Sequence, residues 1–329
     1  MGGSILEELG ELEEEIKTYP ELVKRIRDEL ERKLSEKASE FSRSLSKIMS
    51  SIRGKAVRDR WRFDKIAAAD AGSSTITLGD RMMAILAALY VKLDGSRFDR
   101  GLANPIILEQ KLNERDERFL ARIDNTRETM LMKIAEKAAD DVDLLMVDGP
   151  LIPIPQFGEE YVKAVRRLVE RCCEKNVVLA GFVKRPQQRF ISKELDLGSR
   201  FRDSTILSAV LSAGECYPWP PRDHYARRVK LTFRYTYLKT ISDRRILPFR
   251  VDFPSYISDE TAESVLSYIL STCDPVRGVP AMVMMADEEV KLSKRLIRDL
   301  YAEVLESLLS RFPERSWGSV MARWGEFYV

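Results

Sequence analysis

Two short apolar runs in this chain each carry one aspartate, with glycine close behind. They are Ile66-Ala67-Ala68-Ala69-Asp70-Ala71-Gly72 and Leu144-Leu145-Met146-Val147-Asp148-Gly149. Runs this short, apolar and bounded by turn residues read as buried β-strands. A carboxylate ending such a strand is costly unless a cation or hydrogen-bond donors face it. Two of them brought together would offer the hard oxygen ligands that magnesium or manganese takes. Paired ions about 3.5–4 Å apart can activate a water and stabilise a leaving oxygen in phosphodiester hydrolysis. That chemistry needs neither histidine nor cysteine, and the chain has one histidine, His224, which reads as a surface residue. The plain structural alternative is that each aspartate caps a turn, since Asp before Gly is common in turns.

The elements that must position these acids can be read in order. Residues 4–53 are helical by pattern and highly charged. Ile5, Leu9, Leu12 and Ile16 form one stripe, Pro20 interrupts it with Thr18 as a cap, and Leu22, Ile26, Leu30 and Leu34 resume it. The stripe is narrow, which suits an arm packing on the main body or on a second subunit. After the Asp70 strand, Arg81–Leu93 has no charge for ten residues and ends at Asp94-Gly95, a hairpin signal. It reads as a strand, with Asn104–Leu112 as its antiparallel successor. Residues 115–140 form an amphipathic helix on which Asp124 and Glu128 share a face. The Asp148 strand, a helix over Glu159–Asn176 and a buried strand over Val177–Val183 follow, an order that argues for a parallel, right-handed unit. Arg228–Thr240 alternates like a strand, and Phe249–Phe253 is another. Residues 259–272 read as helix, Ala281–Met285 as an apolar strand, and Asp287–Arg311 as a long amphipathic helix. Trp317 to Val329 is rich in aromatics.

Composition narrows the functional classes. With 44% hydrophobic residues among 329, a large core is available and global disorder is excluded. The formal charge of +2 neither points to nor excludes nucleic acid, so charge placement must decide. Residues 222–245 contain Arg222, Arg227, Arg228, Lys230, Arg234, Lys239, Arg244 and Arg245 against only Asp223 and Asp243. Cations there could follow a phosphate backbone and the interleaved aromatics could stack on unpaired bases, although Phe233, Tyr235 and Tyr237 share the apolar face and read as core. Cys172, Cys173, Cys216 and Cys273 form no CxxC pair, which argues against a zinc site. No apolar run reaches membrane-spanning length and no signal-peptide pattern is visible, so a cytoplasmic protein is expected.

The order of elements is that of the ribonuclease H-like fold: an Asp-bearing strand, two hairpin strands, a helix, a second Asp-bearing strand, then a further helix and strand. In that fold the first and fourth strands are neighbours, so Asp70 and Asp148 would meet. The expected architecture is α/β, a mixed sheet flanked by helices with an N-terminal helical arm. The arm would span 1–60, the nuclease domain 61–312 with an inserted basic region around 184–258, and the aromatic tail 313–329.

Several motifs, in order, carry a more specific resemblance. These are Ala67-Ala68-Ala69-Asp70-Ala71-Gly72-Ser73-Ser74, Arg127-Glu128, Val147-Asp148-Gly149-Pro150-Leu151 and Gly181-Phe182-Val183-Lys184-Arg185. Phe201-Arg202-Asp203, Phe249-Arg250-Val251-Asp252-Phe253-Pro254, and Gly278-Val279-Pro280 leading to Ala286-Asp287 complete the set. From about 60 to about 300 the chain resembles the NurA nuclease family. The resemblance implies a manganese-dependent deoxyribonuclease (magnesium as the alternative), with two ions, that dimerises and works with a HerA-type hexameric helicase-translocase in DNA end resection and break repair. The implied activities are single-strand endonuclease and 5′–3′ exonuclease. Position by position, Asp70, Glu128 and Asp148 match the family's metal-binding acids. Asp287 falls where many members have histidine, with Glu288 and Glu289 near enough to substitute, and Asp124 is a reserve for Glu128.

Lys184 and Arg185 directly follow a buried strand, where a cation can hold the scissile phosphate or offset charge at the metals. Asp203 reads as a helix cap or as an orienter of those cations. Arg185, Arg228, Lys230 and Arg234 are the candidate nucleic-acid contacts. Gly72-Ser73-Ser74 reads as a turn where backbone could approach a phosphate. The competing functions are another ribonuclease H-fold nuclease, such as a junction resolvase, and a catalytically silent helicase adaptor.

Overall fold

In the computed structural model, residues 5–307 are described, apart from 62, 79–80, 155, 198–200, 293–295, 298, 301 and 304–305; side chains within 5–18 and 77–81 are also outside the description. Helix α1 (Ile5–Ser51) leads to strand β1 (Lys55–Ala56), then β2 (Lys65–Leu78), β3 (Arg81–Asp94), β4 (Arg97–Leu102) and β5 (Ile106–Glu109). Helix α2 (Asp116–Ala138), β6 (Leu144–Val147), α3 (Glu159–Glu174) and β7 (Val178–Val183) follow. The rest comprises α4 (Phe190–Glu194), α5 (Asp203–Ser208), β8 (Glu215–Ala226), β9 (Leu231–Leu238), β10 (Phe249–Pro254), α6 (Asp259–Thr272) and α7 (Ala281–Val290).

One mixed sheet runs β1-β8-β9-β10-β7-β6-β2-β3-β4, with β5 also pairing β3. The centre is parallel, β7-β6-β2, and the flanks are antiparallel. This is the expected ribonuclease H-like mixed sheet, with the two Asp-bearing strands adjacent. Successive strand residues face opposite sides. Ala67, Ala69, Leu145, Val147 and Leu179 pack into a core with α2 and α3. Ile66, Ala68, Leu144, Met146, Ala180 and Phe182 pack with α6 and α7 on the other face. Runs with both faces covered have no polar alternation, which is why β2 and β6 read as continuous apolar stretches.

Several elements differ from the sequence expectation. Pro20 lies inside α1, which runs through it; a proline removes one backbone donor, and the helix continues on both sides. The Asp94-Gly95 hairpin leads straight into β4, so the partner of β3 is two short strands, β4 and β5, not one over 104–112. Pro105, which has no N–H to give, lies between them. The Pro-rich stretch holding Pro218, Pro220 and Pro221 is strand β8, whose register shifts between Tyr217 and Arg222. An irregularity of that kind is where a strand tolerates proline. Arg228 and Lys230 sit in the turn before β9 rather than in the strand.

The run Ala281–Met285 is helical, not extended. Met282, Val283, Ala286 and Val290 are its buried residues, a helical spacing that a five-residue window cannot reveal. Asp287 therefore lies well within α7, which ends at Val290 instead of extending to 311. Helical residues resume at 296–297, and the tail over 313–329 lies outside the described residues.

Among its described side chains, helix α1 joins the core near its C-terminal end. Ile48 is fully buried and Phe41 packs edge-on against Phe201 at 5.1 Å, whereas Leu22, Ile26, Leu30 and Leu34 are all more than half exposed. Ile48→Ala is expected to destabilise the fold by about 2–5 kcal/mol. Ile26→Ala should change it by less than about 0.5 kcal/mol. Urea unfolding of the two variants checks this contrast.

Candidate metal centre

The register of the parallel strands sets the site. β2 pairs with β6 from Ile66 opposite Leu144 to Ala69 opposite Val147. The next residue on each strand is an aspartate, and the Asp148 N–H donates to the Ala69 carbonyl at 2.9 Å. Asp70 and Asp148 are therefore side by side. Asp70 does not end its strand, because β2 continues through Gly72-Ser73-Ser74 to Leu78. Gly72 serves a helix and not a turn: a Cβ at this position would lie 2.8 Å from the Val290 carbonyl oxygen. Its absence lets the end of α7 lie directly on β2. Asp287, about one turn before Val290, is thereby brought over the strand aspartates. Carboxylate oxygens of Asp70, Asp148 and Asp287 lie within 4.8 Å of one another.

Two cations offset this cluster. Lys184 follows the end of β7, with Nζ 2.5 Å from Asp148 Oδ2 and 3.1 Å from Asp287 Oδ1. On α2, Arg127 Nη2 donates to Glu128 Oε1 at 2.9 Å. The other Glu128 oxygen, Oε2, is buried and has no hydrogen-bond partner among the described residues. It faces the residue after Asp148, since a Cβ on Gly149 would lie 3.7 Å from it. Glu128 lines the same cleft as the three aspartates, and Arg127, Arg185 and Lys291 stand around them.

The electrostatics follow from burial. Burial raises the Asp70 carboxyl well above the usual carboxylate range, and the Asp148 charge raises it further. Burial also raises Asp148, with Lys184 pulling the other way. Glu128 is raised by burial against the opposing Arg127 charge. Burial acts to lower the Lys184 ammonium, but Asp148 and Asp287 outweigh it and the net shift is upward. Like charges crowded at low dielectric are costly without a counter-ion. An all-oxygen donor set with an unsatisfied carboxylate oxygen fits a hard divalent cation.

A family model described as the NurA domain matches residues 4–292. The chain belongs to the NurA family. The NurA nuclease from Sulfolobus solfataricus superposes with a TM-score of 0.63 at 14% identity, over 91% of this chain and 98% of that one. A NurA structure with manganese matches with a TM-score of 0.58 at 11% identity, over 87% and 98%. A NurA structure bound to dAMP and manganese matches with a TM-score of 0.56 at 11% identity, over 91% and 98%. No curated protein matches the chain.

In this NurA-family chain, Asp70, Asp148, Asp287 and Lys184 come together in one cluster, and Glu128 and Arg185 line the cleft around it. Glu288 and Glu289 pair with Arg277 and Arg100 instead. Asp124 is exposed and pairs with Arg127 at 3.6 Å. Asp203 is fully buried, and its hydrogen bonds go to the N–H groups of Phe190, Ile191 and Ser192 and to the Tyr237 hydroxyl, not to Lys184 or Arg185. It ties α4 and α5 to β9. Arg228 donates to the Phe157 carbonyl and Lys230 is exposed in the β8–β9 turn. Arg234 is committed internally, to the Ile257 and Pro221 carbonyls and to Asp259. Among the described residues, no helix is long and apolar enough to cross a membrane.

Arg127 and Lys291 are cleft residues that sequence reading did not select. Arg127 is visible only as a neighbour of Glu128. Lys291 acquires a role only once α7 is known to end beside β2.

A carboxyl whose folded pKa exceeds its unfolded value keeps its proton while the unfolded chain has released it. Stability then falls as pH rises from about 4, the unfolded value, toward the raised folded values. Asp70→Asn removes the larger part of that loss. In chelator at pH 8 the variant is expected to unfold at a higher temperature than the parent, and at pH 5 the two should converge. Scanning calorimetry at both pH values checks the sign.

Proposed function

We propose that this protein is a metal-dependent nuclease that hydrolyses DNA phosphodiesters. Manganese is the preferred ion, with magnesium as the alternative, and two ions are held by Asp70, Glu128, Asp148 and Asp287. The observation that carries this reading is the convergence of the three aspartates, within 4.8 Å, beside the unpartnered Glu128 oxygen. When bound, the ions supply an activated water and stabilise the leaving oxygen. The carboxylates would orient that chemistry where β6 ends beside β2. Lys184, between Asp148 and Asp287, offsets their charge and would hold a phosphate oxygen of the substrate. Arg127, Arg185 and Lys291 line the same cleft and would meet the phosphates on either side of the cut bond. Arg228 and Lys230 would meet the backbone further along, while Arg234 ties β9 to Pro221 on β8 and to Ile257 and Asp259.

The reading extends to single-strand endonuclease and 5′–3′ exonuclease action in end resection. It includes a dimer working beside a HerA-type hexameric helicase-translocase in the cytoplasm. The family membership and the sequence resemblance support these parts.

Cleavage of single-stranded DNA should require added manganese. Asp70→Ala and Asp148→Asn should each abolish it while the circular dichroism spectrum stays unchanged. Lys184→Ala should lower kcat by about 10²-fold or more, the scale of losing one charge-stabilising donor. A fully active Asp70→Ala protein would overturn the proposal.

A further inference from the structure

A buried ion pair on β10 takes no part in the chemistry above. Arg250 and Asp252 are both wholly buried. Arg250 Nε donates to Asp252 Oδ1 at 2.7 Å, and Nη2 donates to Oδ2 at 2.8 Å. The two residues share one face of the strand, while Phe249, Val251 and Phe253 pack into the core with α6 and α7. Desolvating such a pair cancels most of its attraction, so stability alone is a weak reason for it.

The pair has a second set of bonds. Asp252 Oδ2 accepts from the N–H groups of Leu151 at 3.1 Å and Ile152 at 3.3 Å. Those residues belong to the segment that leaves β6 through Asp148. Opposite Asp252 on β7 stands Gly181. A Cβ on Gly181 would lie 2.7 Å from the Gly149 carbonyl oxygen and 2.8 Å from Leu151 Cγ. The segment after Asp148 therefore lies flat on the sheet in the space Gly181 leaves open, and Asp252 ties it down from the neighbouring strand. At its start it is held by the Asp148 N–H on the Ala69 carbonyl.

We propose that Arg250 and Asp252 are positioning residues for Asp148. They fix the backbone from Asp148 to Ile152 so that the Asp148 carboxylate meets Asp70 and Asp287 at metal-binding distance. Asp252 touches none of the reacting atoms and acts through the two N–H groups it accepts. Arg250, bonded to both carboxylate oxygens, holds the Asp252 carboxylate turned toward them. The inference rests on the metal-site reading of the cluster.

Manganese binding to the full chain, followed by the loss of the free-ion electron paramagnetic resonance signal, tests it without relying on activity. No binding by the parent protein would overturn the metal reading itself. Given binding by the parent, Asp252→Asn and Arg250→Lys are each expected to weaken manganese affinity about 10–100-fold, the range for groups that orient metal ligands. Leu266→Ala, buried on the opposite face, should lower the unfolding temperature and leave manganese affinity unchanged. The proposal is overturned if either folded ion-pair variant binds manganese like the parent, or if Leu266→Ala weakens binding as much as they do.

Discussion

Three carboxylates share a space smaller than 5 Å where β6 ends beside β2, and the fold around them answers to that repulsion. In a low-dielectric setting such charges drive one another apart or take up protons unless cations stand among them. Lys184 bridges Asp148 and Asp287, and Arg127 engages Glu128. The backbone does the remaining work. Parallel pairing leaves the strand acids no freedom to separate along the sheet, and the contact of α7 with β2 leaves Asp287 none to rise away.

The site lies where two separately packed faces of the sheet meet. Glu128 arrives from α2, part of the core shared with α3, and Asp287 arrives from α7, part of the core shared with α6. Neither helix touches the chemistry through a flexible loop of its own. Each is anchored by buried side chains along its length, such as Ile123, Met130, Leu131 and Ile134 on α2 and Met282, Val283, Ala286 and Val290 on α7. Rigid delivery of these acids would suit the proposed metal site, whose geometry must be held to a few tenths of an ångström.

Much of this was legible in the sequence for a local reason. The stretches leading to Asp70 and Asp148 are short apolar runs, and α2 and α3 keep a helical stripe over several turns. What was not legible depends on contacts between distant segments. The start of α7 is five apolar residues, a pattern that strand and helix share. Strand β8 is hidden by its prolines, which are tolerated because they fall at a shift of register. Pro20 looked like a stop because interior prolines usually are one. Gly72 looked like turn chemistry, yet its role is set by Val290, which no local pattern links to it.

Kinship and competence need not go together in chains of this type. The quality of the site rests partly on two hydrogen atoms, those that stand in for side chains at Gly72 and Gly181. A chain could keep every acid and every cation and still hold them too far apart, because one methyl group at either position would wedge a helix or a loop away from the sheet. A census of acidic residues is therefore an incomplete test of whether a relative is competent. The residues that make the acids useful include two with no functional group at all.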